Sequence, residues 1–200
     1  MGLKFATPPA GGMEIVASAL AQLARLRPAP EVAAAGAGSP PERRLVSPQE
    51  VYFLGLDALA GAKPLAAATH VGWRYLVVEG DRAVEAAEST TGDGGPLRFS
   101  LVSRGPQVQG FVDAIHVAEA LADAEPGPEW VLRCLRIPAL YVDAVWLADP
   151  HGRRTQDRLI PIAPVFPPLV ANHVYTPAEF FRTLLPSAKK RLAHADPLTN

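Results

Sequence analysis

Residues 130–164 read WVLRCLRIPALYVDAVWLADPHGRRTQDRLIPIAP. Nearly all of the apolar bulk here is aliphatic or aromatic, and the one obvious break is Asp149-Pro150-His151-Gly152. Polar and glycine residues of that kind make tight turns. The stretch therefore predicts two long strands folded about 149–152, at the centre of a sheet. Pro138 has no N–H to donate to a strand ladder, so a bulge or bend is expected there.

Downstream, Pro164, Pro167 and Pro168 mark an extended strap. Thr176-Pro177-Ala178-Glu179 then has the spacing of a capping box, in which residues at the two ends satisfy each other's free N–H groups. It opens a helix carrying Phe180, Phe181, Leu184 and Leu185, with a last short helix predicted beyond Pro186. Upstream, the apolar stripe Phe111, Ala114, Ile115 and Ala118 predicts a helix over 107–122. Val71 to Val78 and Ala83 to Glu88 alternate with period two about the Gly80-Asp81 turn, and a third strand starts near Leu97. Ser47-Pro48-Gln49-Glu50 repeats the capping-box pattern and predicts a helix running to Gly61. Met13 to Leu26 carries an apolar helical stripe, and the preceding residues show no period.

The fold class that follows is α+β. It is two-layer, with a mainly antiparallel sheet of about five or six strands packed on helices, and with an N-terminal helical arm. Residues 1–46 form that arm and a Pro/Ala/Gly-rich linker, 47–195 a single domain, and 196–200 a frayed tail.

Composition narrows the function. The chain has 200 residues, 48% hydrophobic and 20% charged, enough for one sizeable core. Lys and Arg total 19 against 20 Asp and Glu, so the broad positive field of a nucleic-acid binder is missing. One cysteine, Cys134, excludes a Cys-rich zinc site and fits a reducing, cytoplasmic compartment. No run approaches the roughly 20 apolar residues of a membrane-spanning helix.

Candidate catalytic residues are few. Asp113, His116 and Glu119 recur at three-residue spacing on one face of the predicted helix, where they could serve as general base or ligands, or simply as its solvated side. Cys134 lies near Arg133 and Arg136, and a neighbouring cation activates a thiol. A lone cysteine between leucines is more often packing. No nucleophile elbow, metalloprotease helix, Walker loop or dinucleotide fingerprint occurs, and no cofactor or metal is called for. Trp73, Tyr75, Trp130, Tyr141 and Trp146, with Arg153 and Arg154, are residue types favoured at interfaces. The reading is a non-catalytic protein–protein interaction or assembly protein, bound to a protein partner or to its own copies. The alternatives are a small enzyme, a hydrolase using Asp113 and His116, and a protein binding a small apolar ligand.

Overall fold

The computed structural model describes residues 3–26, 42–92, 95–125 and 129–195. Most of the predicted Pro/Ala/Gly-rich linker and the tail over 196–200 lie outside the described residues. In chain order the elements are β1 (Lys4–Phe5), α1 (Gly12–Leu26), β2 (Arg43–Phe53), α2 (Leu56–Leu59), β3 (Thr69–Glu79), β4 (Arg82–Thr90), β5 (Arg98–Ser103), α3 (Pro106–Ala124), β6 (Val131–Ile137), β7 (Val142–Ala148), β8 (Arg158–Pro161) and α4 (Pro177–Ala195).

The strands form one sheet in the order β5-β4-β3-β2-β6-β7-β8, with β1 paired to the start of β6. The fold is thus α+β, but the sheet has eight strands and is mixed, larger and less uniform than the sequence predicts. Its mixed character follows from the route of the chain. Strands β2 to β5 run outward as antiparallel neighbours. Helix α3 then carries the chain back across the sheet, so β6 lands on the other side of β2 and parallel to it. A parallel pair needs such a crossover, whereas hairpins give antiparallel ones. Strands β7 and β8 complete a second antiparallel run.

The largest departure from the sequence reading is at 47–61. Strand β2 occupies Arg43–Phe53, at the centre of the sheet, and only the short α2 is helical in that stretch. The register slips between Val46 and Gln49, and Ser47 has φ 52°. The Ser47-Pro48 pair therefore makes a bulge, which also explains how a proline is tolerated in a central strand. Residues 43–46, assigned above to the linker, are strand. Lys4–Phe5, expected to be irregular, pairs with Val131–Leu132.

The stretch 130–164 holds three strands rather than two. Pro138 does not bend a strand: it starts a single 3-10 turn over Pro138–Leu140 that reverses the chain between β6 and β7. The 149–152 turn does form, with Gly152 N–H donating to Asp149 C=O at 3.0 Å, but it joins β7 to β8. Helix α4 runs through Pro186 without a break.

Helices cover both sides of the sheet. Trp73, Tyr75 and Val77 of β3 pack with Val16 and Leu20 of α1, while Leu76 packs under α3 with Phe111 and Ile115. On β6, Leu135 and Ile137 join the α4 cluster with Phe180 and Leu184, while Leu132 joins the α3 cluster. Pairing of Glu50 with both Trp73 and Arg133 places α1 and α4 on one face and α3 on the other. Two layers therefore become three. Gly110 of α3 permits this closeness: a Cβ there would stand 2.1 Å from the Ala163 carbonyl oxygen. Among the described residues, no helix is long and apolar enough to cross a membrane.

Candidate binding groove

The turn between β7 and β8 is built from the inside. Asp157 is fully buried and accepts hydrogen bonds from Trp146 Nε1 at 3.0 Å and from the Asp149 N–H at 2.8 Å. Trp130 Nε1 donates to the Gln156 carbonyl at 3.0 Å. A buried carboxylate must be hydrogen-bonded to be tolerated, and here its partners pin both ends of the turn. Asp149 in turn accepts from the Arg153 N–H at 2.8 Å and from Arg153 Nε and Nη2 at 3.0 and 3.2 Å. Those side-chain bonds, with the backbone one, hold the Asp149 carboxyl down to about 2. Arg154 lies 5.0 Å above the Trp146 ring centroid, with Nη1 3.4 Å from Asp157.

Helix α4 supplies a second wall. The capping box forms as the spacing predicts: Glu179 N–H donates to Thr176 Oγ1, and the Thr176 N–H donates back to Glu179 Oε2 at 3.0 Å. The Thr176 hydroxyl holds the Glu179 carboxyl below the usual range. The third wall is α2 and the 3-10 turn Pro64–Ala67. Together these walls enclose an open groove of about 940 Å³. Its apolar lining includes Leu59, Leu65, Phe181 and Leu185, and Lys63, Arg153, Arg154 and Arg182 also line it. That volume is near the top of the roughly 300–1,000 Å³ typical of ligand pockets. Among its described lining residues there is no carboxylate, imidazole or thiol.

A second polar assembly sits on the α3 face of the sheet. Glu88 of β4 accepts from Arg74 Nε at 2.8 Å and from Arg136 Nη1 and Nη2 at 3.0 and 2.8 Å. Asp143 of β7 accepts from Arg136 Nε at 2.9 Å and Arg74 Nη2 at 3.1 Å. Two arginines and two carboxylates from four strands thus form a neutral, largely buried cluster. Burial pushes the Glu88 carboxyl up, but Arg74 and Arg136 outweigh it and leave the pKa below the usual range. Arg74 also stacks on Phe111 of α3, at 5.1 Å. The sequence reading missed this cluster. Its signals were Arg74, a charge between Trp73 and Tyr75, and Asp143, the one charge in the apolar strand β7.

The predicted residues separate. Asp113 is half-buried and accepts from Gln109 Nε2 at 2.8 Å, while His116 and Glu119 are exposed on α3. None of the three lines the groove. Cys134 is fully buried, and burial pushes its thiol up to about 11, against the pull of Arg74. That is the reverse of an activated thiol. Trp73, Tyr75, Trp130 and Trp146 are buried in this chain's own core and offer no surface to a partner. Of the interaction set, only Tyr141, Arg153 and Arg154 are exposed. Tyr141 stands apart from the groove, 5.9 Å from the Arg191 guanidinium. Trp130 and Trp146 instead hold the turn that carries Arg153 and Arg154. Among the described residues, no three His, Cys, Asp or Glu side chains gather as metal ligands.

No protein-family model matches this chain, and no significant match is found among curated proteins or solved structures.

Proposed function

We propose that this protein is a non-catalytic interaction or assembly protein of the cytoplasm, and that a segment of another protein chain docks in the groove between α2, the 149–157 turn and α4. The observation behind this reading is the lining itself: an apolar surface with guanidinium and ammonium groups, and no carboxylate, imidazole or thiol among its described residues. Acid–base catalysis needs a side chain whose pKa lies near the working pH within reach of substrate. Arginine stays charged throughout, and the carboxylates bonded to lining residues, Asp149, Asp157 and Glu179, are engaged in the turn and in the cap of α4. The groove's walls are held by hydrogen bonds independent of any ligand, so docking requires little reordering.

A photo-crosslinking residue at exposed Ala62 tests this reading, with the same residue at His116 of α3 as control. In extract from the source cell, the expected result is a discrete protein adduct at Ala62 alone. That adduct disappears when Ala66→Trp fills the groove. Absence of an adduct at Ala62, together with strictly monomeric behaviour in light scattering, would overturn it. An adduct between two copies of this chain would identify the partner as itself.

A further inference from the structure

We infer that the segment received by the groove is acidic, with carboxylates set on Arg153 and Arg154 and apolar side chains laid against Ala62, Ala66 and Leu185. The inference rests on the docking reading above and adds the chemistry of the occupant.

Charge is the first ground. The chain as a whole is balanced, with 19 basic and 20 acidic residues, yet the described lining holds four cations and no carboxylate. Asp149 and Asp157 neutralise part of that charge from behind, but they do not exhaust the guanidiniums. Arg153 uses Nε and Nη2 on Asp149, and Arg154 uses Nη1 on Asp157. Arg153 Nη1 and Arg154 Nε and Nη2 have no protein acceptor among the described residues. Lys63 likewise has no ion-pair partner among them. Arg182 has Glu179 as its electrostatic neighbour, and that carboxylate also accepts from Thr176 through Oε2.

Preorganisation is the second ground. Arg153 is held by a bidentate contact and Arg154 by the face of Trp146. Long side chains normally lose conformational freedom on binding, and here the fold has already fixed them. Guanidinium with carboxylate is also among the strongest charge-assisted pairings.

The floor decides between polyanions. Single-stranded nucleic acid needs exposed aromatic faces on which bases stack. Phe181, the one aromatic in the described lining, is 8% exposed. The accessible apolar lining, Ala60, Ala62, Ala66 and Leu185, suits aliphatic side chains instead.

The test is a binding titration by fluorescence anisotropy with the full chain. The probes are a labelled dodecapeptide alternating Leu or Phe with Glu or Asp, its Gln/Asn counterpart, its Lys counterpart, and dodecanoate as unlabelled competitor. The acidic peptide is expected to bind at least about tenfold tighter than the neutral one at about 0.05 M salt, with the advantage shrinking as salt rises to about 0.5 M. Lys63→Glu with Arg182→Glu is expected to lower acidic-peptide affinity by about tenfold or more. Both positions are exposed, so the thermal melt should not move. Equal binding of acidic and neutral peptides would overturn this inference and leave the docking reading standing. Binding by no peptide, or by dodecanoate without any peptide, would overturn both.

Discussion

Glu88→Gln isolates what the ion cluster contributes. The substitution keeps the side chain's shape but removes its charge. It also turns an amide N–H₂ toward guanidiniums that can only donate. The Glu88 carboxylate accepts three hydrogen bonds of 2.8 to 3.0 Å from Arg74 and Arg136, and the Arg74 side chain is 6% exposed. Water cannot replace what is lost, and a net positive charge remains buried against Phe111 and Cys134. Removing one partner of a buried pair costs about 3–5 kcal/mol. Part of the Arg74 and Arg136 bonding survives on Asp143, so the expected loss is near the lower end, about 3 kcal/mol. Urea unfolding followed by fluorescence of the three buried tryptophans measures it. Glu88→Gln with Arg136→Gln restores neutrality and leaves Arg74 paired with Asp143. Its loss should fall short of the sum of the single losses by about 1.5 kcal/mol or more. The pH dependence has a definite sign. Glu88 has a depressed pKa in the folded protein, so its contribution is complete above the unfolded carboxyl value of about 4.3. It is lost as pH falls from there through the lower folded value. Below pH ~4 the wild-type chain should therefore lose stability faster than Glu88→Gln. A Glu88→Gln midpoint within error of wild type, with unchanged slope, would refute a desolvated cluster.

Other consequences are simpler to check. Asp149 is held at about 2 by Arg153, so the turn it anchors should stay closed at pH 4 and open only as pH falls toward ~2; resonances of 150–156 followed through an acid titration would show it, and Asp149→Asn should loosen the turn at neutral pH. Gly110→Ala should lower stability by about 2 kcal/mol or more, because backbone rather than a flexible side chain must move aside, and a thermal melt reads this directly. Cys134 should resist a thiol reagent at pH 8 in the native state and react fully in denaturant, since its thiol is pushed up to about 11 and buried.

The sequence patterns that proved readable were those where local and tertiary preferences agree. Val71 to Glu88 alternates cleanly and folds as the β3–β4 hairpin, and Thr176 to Glu179 caps α4 as its spacing demands. Ser47-Pro48-Gln49-Glu50 carries the same local signal and yet is strand. Its neighbours Val46, Val51, Tyr52 and Phe53 are β-branched or aromatic, and β3 and β6 supply ladders on both sides. Tertiary pairing there overrides the cap. The expectation of one bent strand around Pro138 fails because that proline starts a reversal, which Tyr141 completes by entering the left-handed region at φ 54°. The groove was half-legible. Arg153 and Arg154 stood out as a patch, but their meeting with Leu59–Ala66 and with α4 joins segments far apart in sequence, which no local period records.

The central claim is that the groove is the docking surface, and backbone amide mapping tests it most directly. With the acidic dodecapeptide added to isotope-labelled protein, the account predicts shift changes confined to 59–66, 152–155 and 176–185, with α1 and α3 unmoved. Saturable changes centred on α3 around Asp113 and His116, with the groove residues still, would contradict it.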